Sequence, residues 1–147
     1  MTKLSFSFWQ KWLLTVGWVI TILGIVMALL SGTPLFDLFN HQIDPAFWGA
    51  NPVGSSARQF QQWIYGVWGA TIAGWGIFLT YIARYPFRKQ EHWARRCIAY
   101  GLLAWFVLDT WLSFFYKVYF NVAFNTGLFV LAMLPIVFTQ KDFKKGP

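Results

Sequence analysis

The chain has 147 residues, enough for one domain. Hydrophobic residues make up 57% and charged residues 12%, against about 25% charged in a soluble domain, so too little polar surface remains for an aqueous globule and lipid is the natural solvent. The net charge of +7 does not point to nucleic acid, because Lys and Arg flank apolar runs instead of forming a surface, and the lone Cys97 excludes an internal disulfide or a CxxC redox pair.

A helix needs roughly 20 apolar residues to cross a bilayer core. The first such stretch covers about residues 12–30 and is uncharged. It is longer than a signal-peptide core and has no clean small-residue cleavage site near Ser31 and Gly32, so it reads as a retained span. Gly17, Thr21, Gly24 and Ala28 form one small-residue stripe along it, of the kind that lets helices approach closely in lipid.

Residues 31–61 form a long outer connection. Thr33-Pro34 and Asp44-Pro45 each pair a capping residue with a proline suited to the first helical turn, which predicts two short helices lying on the interface or capping the other spans. Asn51-Pro52 and Gly54 predict a turn. Ser56 with Gln59 reads as a capping box, so the second long helix should start near Ala57 and stop before Pro86. Its span covers about 62–83, with Gly66, Ala70 and Gly74 as a second small stripe and Gly69 and Ala73 beside it. Both stripes suit packing among the spans; a homo-oligomer face is the alternative.

The inner connection, 85–96, carries Arg88, Lys89, Glu91, Arg95 and Arg96 and reads as a solvated turn against anionic lipid headgroups. The third span, about 97–116, holds one acid, Asp109. A short connection leads to the fourth span, about 122–139, where Pro135 should loosen the helix around Leu131. Lys3 and Lys11, the inner connection with Arg84, and Lys141, Lys144 and Lys145 all fall on one side in a four-span topology. The excess of basic residues predicts cytoplasmic termini in a plasma membrane of bacterial type. The expected fold is an all-α integral membrane four-helix bundle with short interfacial helices in its outer loop.

Trp9, Trp12, Trp63 and Trp93 fit an interfacial belt, whereas Trp18, Trp68, Trp75, Trp105 and Trp111 lie within spans. This tryptophan-rich character resembles the tryptophan-rich sensory/translocator proteins, which bind tetrapyrroles and sterols. That family has five helices and a Trp-Pro-rich loop motif. Four spans and the stretch Pro45-Ala46-Phe47-Trp48 depart from it, so no residue role is transferred.

Asp109 is the one ionisable group well inside a span, and burying a charge there costs about 2.5–3.5 kcal/mol on insertion scales. It should face neighbouring helices and find partners. It lies eight residues before Lys117, about 12 Å below the outer end. Ser113 follows on the same face at i+4, and Asn121 and Asn125 begin the fourth span at the outer end. Thr21 and Thr71 stand at comparable depth. The predicted polar cluster is Asp109, Ser113, Asn125, Thr21 and Thr71, with Trp105 nearby and Tyr65, Arg58 or His41 closing it.

This cluster supports a non-enzymatic protein that binds an apolar or amphipathic small molecule, or a membrane partner, through an outward-facing site. An oligomeric proton-coupled transporter or channel centred on Asp109 is the alternative, and a purely structural membrane subunit the second. No acid–base pair or nucleophile with its base lies within a span, so catalysis has the least support. Nothing in the residue pattern calls for a cofactor, a metal or nucleic acid; the lipid bilayer is the expected partner.

Overall fold

The structure, a computed structural model, describes residues 5–144, so Lys3 and Lys145 of the basic tally lie outside the described residues. It is all-helical: α1 (Phe6–Leu30), a 3-10 turn (Pro34–Phe36), α2 (Asp37–Trp48), α3 (Ser55–Ile82) continued by a π turn (Ala83–Phe87), α4 (His92–Phe115), α5 (Tyr119–Phe138) and a last 3-10 turn (Asp142–Lys144). Four helices, α1, α3 with its π turn, α4 and α5, are long and apolar enough to cross a membrane. α1, α3 and α4 each outrun their apolar stretches, because helical backbone continues into the polar ends where hydropathy no longer marks it.

α1 lies between α3 and α5, and α4 packs on α5. The α1–α3 seam is the tightest. Gly17 faces Thr80, Thr21 faces Gly76, Gly24 faces Gly69 and Ala73, and Ala28 faces Gly69. A methyl group on Gly76 would stand 2.5 Å from the Thr21 amide nitrogen, and one on Gly69 would overlap the Ala28 backbone. The contacting α3 residues are spaced 69, 73, 76 and 80, a three-four alternation that keeps an antiparallel helix pair in register. The stripe expected on α3 at intervals of four is met in part: Gly66 faces Ala28 and Ser31, and Gly69 and Ala73 beside it lie in the seam, but Gly74 has open space beside it and Ala70 is exposed.

α3 and α4 are linked in three places. The π turn contacts α4 at the basic end. Trp75 and Trp105 meet mid-helix with ring centroids 5.6 Å apart. At the far end α2 and the 3-10 turn before it bridge them: Phe36 of the turn meets Tyr65 of α3, Phe47 meets Tyr116 after α4, and Phe39 meets Phe120 of α5.

Several local expectations change. The outer connection makes one helix, α2, preceded by a 3-10 turn, and Pro45 lies inside it. Asp44 does not cap, because its carboxylate is held by Arg58 and Gln61 of α3. Gly54 is the N-cap of α3, with no side-chain cap, so the Ser56–Gln59 box is not formed. Pro86 does not end the helix. It removes the amide that would bond Ile82, and the widened π turn carries the chain through it. Gln10 Nε2 donates to the Ala83 carbonyl in this region at 3.0 Å.

Both short turns close by the same motif. After the π turn, Glu91 N–H donates to Pro86 O and Gln90 N–H to Phe87 O. After α4, Val118 N–H donates to Ser113 O and Lys117 N–H to Phe114 O. These are Schellman caps with Gln90 (φ 60°) and Lys117 (φ 61°) at the left-handed position glycine usually holds. They turn the chain without glycine at the left-handed position, which is why neither reversal carries the usual glycine mark.

Buried apolar side chains collect at the basic end. Leu13, Ile20, Leu79, Phe87, Leu102 and Ile136 belong to one core cluster, all almost fully buried. Gln10, Thr80 and Thr139 are buried in that half too; in the half beneath α2 the buried side chains include Gln61, Ser113 and Asn125 beside Phe36, Tyr65 and Val118.

Candidate functional site

The polar interior of the α2 half has two centres. The first is Asp109. Its Oδ1 accepts from Asn121 Nδ2 (2.8 Å), Asn125 Nδ2 (2.8 Å) and the Ser113 hydroxyl (3.1 Å). Asn121 Nδ2 also donates to Ser113 Oγ at 2.7 Å, so both of its protons are used. The single Ser113 hydroxyl proton is shared between Oδ1 and the Asp109 backbone carbonyl, the latter nearer at 2.7 Å. A carboxylate oxygen only accepts, which sets both asparagines with their NH2 groups toward it.

The helices explain this meeting. Asp109 and Ser113 are one turn apart on α4, and Asn121 and Asn125 are one turn apart on α5. The Schellman cap at Ser113–Val118 reverses the chain so tightly that the two pairs stand at the same level. Asn125 is 2% exposed and Ser113 8%, so the donors come from inside. Asp109 itself is half-buried. Its Oδ2 takes no hydrogen bond from the described residues, yet it is not among the enclosed atoms that lack a partner. One oxygen is thus saturated and the other is open. Beside it in sequence, Thr110 Oγ1 is buried without a partner.

One turn toward the basic end, Trp105 turns to Trp75. Asp109 follows Trp105 at i+4, so the two residues lie on one side of α4 a turn apart, the indole turned to α3 and the carboxylate to α5.

The structure separates the other expected members from this group. Thr21 is buried, but its hydroxyl donates to Gly17 O at 2.9 Å within α1, and the residue fills the seam against Gly76. Thr71 is exposed and its hydroxyl bonds Val67 O at 3.1 Å. A threonine in a helix readily satisfies itself on the preceding turn, so depth alone does not bring it to a neighbour. Asn121 joins Asp109, although depth arithmetic favours Asn125 as the deeper of the two.

The second centre explains Tyr65, Arg58 and Asp44. Arg58 donates to Asp44 Oδ2 and to Gln61 Oε1, each at 2.7 Å. Gln61 Nε2 donates to Asp44 Oδ1 and to the Tyr65 oxygen, each at 2.9 Å. This group ties α2 to α3 and does not touch Asp109; His41 turns instead to the Asp37 carbonyl. Among the described residues no group of three or more His, Cys, Asp or Glu gathers to hold a metal ion.

The chain matches no protein family, no curated protein and no solved structure. Any functional reading therefore starts from these side chains.

Proposed function

We propose that the chain is a four-span membrane protein that binds an amphipathic molecule, or the polar side chain of a membrane partner, at Asp109. The observation that carries this is the half-satisfied carboxylate. Three donors orient Oδ1, while Oδ2 stays open within an apolar helix. An intramembrane acid left in that state calls for a donor from outside the chain. The fitting head group is an amine or a hydroxyl. The fitting body is flat and apolar, able to lie on Trp75 and Trp105 one turn below.

The topology follows from charge. Lys11, Arg84, Arg88, Lys89, Arg95, Arg96 and Lys141 belong to the helix ends remote from α2, and among the described residues only Arg58 and Lys117 are at the α2 end. The positive-inside bias sets the basic end in the cytoplasm and the Asp109 half toward the outer leaflet.

A structural role is the second reading, favoured by the same three donors on Oδ1, since interhelical polar bonds fix register. Native mass spectrometry of the protein extracted gently from its own membrane separates the two. A binding site predicts a defined adduct that is lost in Asp109→Ala and in Trp105→Ala. A clean mass in the native protein, with both variants merely less stable, assigns Asp109 to register.

A further inference from the structure

Opposite the α2 half, a half-open groove of about 210 Å³ is lined by His92, Arg95 and Arg96 at the start of α4 and by Gln140 and Phe143 after α5. We propose that this groove binds a phosphate group, as a phospholipid head or a soluble phosphate ester. The inference is independent of the Asp109 site and of what that site takes.

The groove brings two guanidinium groups and an imidazole to one concavity with no carboxylate in its lining. Among the described residues the one ion pair is Arg58–Asp44, and no acid among them neutralises Arg95 or Arg96. The nearest acid in sequence, Glu91, has its Oε2 engaged by the Trp93 indole. Asp142 adjoins Phe143 in sequence and pairs with no base among the described residues.

Arg95 is also oriented. Its Nε donates to Ile136 O at 2.9 Å, a carbonyl that Gln140 N–H leaves free by bonding Val137 O instead. That bond occupies one donor and leaves both terminal nitrogens, the fork that suits phosphate oxygens. Phe143 is 2% exposed and gives the groove a firm wall, held by Phe87 at 5.0 Å and Phe6 at 5.9 Å. Basic pockets between helices at a cytoplasmic surface are suited to anionic head groups.

The test uses the full chain in mild detergent with phosphatidylglycerol added, and counts lipid adducts by native mass spectrometry. Arg96→Gln alters an exposed side chain that makes no hydrogen bond within the described residues, so the fold is kept. It should weaken phosphatidylglycerol binding roughly tenfold, the loss expected for one charge-assisted hydrogen bond. Arg88→Gln makes the same charge change at an exposed residue outside the groove and should stay within about twofold, as expected where only screened surface charge is lost. Displacement of the lipid by millimolar inorganic phosphate would assign a soluble phosphate source, and retention would assign the lipid; either upholds phosphate chemistry. Equal losses in the two variants, or no loss in Arg96→Gln, would overturn the site. Asp109→Ala should leave this binding intact, so failure here and failure at Asp109 are read separately.

Discussion

The basic half and the half beneath α2 are held together by different means. At the basic end α1, α3, α4 and α5 meet through interlocked apolar side chains such as Leu13, Leu102 and Ile136. Beneath α2 hydrogen bonds join α4 to α5 around Asp109 and α2 to α3 around Asp44. The α1–α3 seam of small residues runs through both halves and does not distinguish them. Shape is secured in the basic half and chemistry is offered in the other. In the basic half the side-chain bonds between helices, from Gln10, Trp12 and Arg95, all end on backbone carbonyls, whereas the half beneath α2 brings side-chain acids and amides together and is the half with an open carboxylate oxygen.

The largest effect should come from the basic half. Leu102 is 1% exposed, and Leu102→Ala leaves a cavity whose walls lose their contacts. The expected loss is about 2–4 kcal/mol, read from denaturant unfolding in micelles. A loss below about 1 kcal/mol would mean that this half collapses freely onto a cavity and is not the rigid partner in the comparison.

The polar half should respond to whether partners are removed singly or together. Asn125→Leu strips one donor from Asp109 Oδ1 and should cost about 1–3 kcal/mol. Asp109→Leu combined with Asn125→Leu removes both sides of that bond. The pair should come back to within about 1 kcal/mol of the native chain, since a matched apolar replacement leaves less unpaired. The double variant should nonetheless carry no adduct. A double variant less stable than either single one would make the cluster a structural clasp and erase the contrast between the halves.

How far these features were visible beforehand depends on how local their causes are. The long helices announce themselves because lipid-length apolar runs are rare. The Asp109–Ser113 relation is a spacing of one turn, legible in one dimension. Asn121 needed the Lys117 cap, a left-handed residue without glycine that composition does not mark. Thr21 and Thr71 have the right depth, but depth says nothing of rotation about the helix axis or of a hydroxyl's bond to its own helix. The α3 stripe is legible in part for a related reason. Gly66, Gly69 and Ala73 do face α1, but an even repeat of four carries Ala70 and Gly74 away, because the partner helix selects the three-four alternation of 69, 73, 76 and 80. Asp44-Pro45 has the composition of a helix start, yet Arg58 and Gln61, distant in sequence, claim the carboxylate.

The smallest predicted effect lies at the α1–α5 contact and isolates a single hydrogen bond. Pro135 has no N–H, so the Leu131 carbonyl one turn earlier loses its partner within α5. Trp12 supplies the replacement from α1, its indole Nε1 donating to Leu131 O at 2.9 Å. Trp12→Phe keeps most of the ring and removes the donor, and should cost about 1 kcal/mol in the native background. In a Pro135→Ala background the helix can restore its own bond, since the new backbone N–H faces the same carbonyl, and the indole is then one of two donors. There Trp12→Phe should cost less than about 0.5 kcal/mol, and the difference between the two backgrounds is the coupling. Equal costs would assign the effect to ring packing, with Phe8 and Trp9 beside Trp12, and not to the carbonyl that proline leaves unpaired. Unequal costs would establish that α1 is fastened to α5 through a defect in α5's own ladder, which ties the position of the basic half to a bond that no apolar pattern contains.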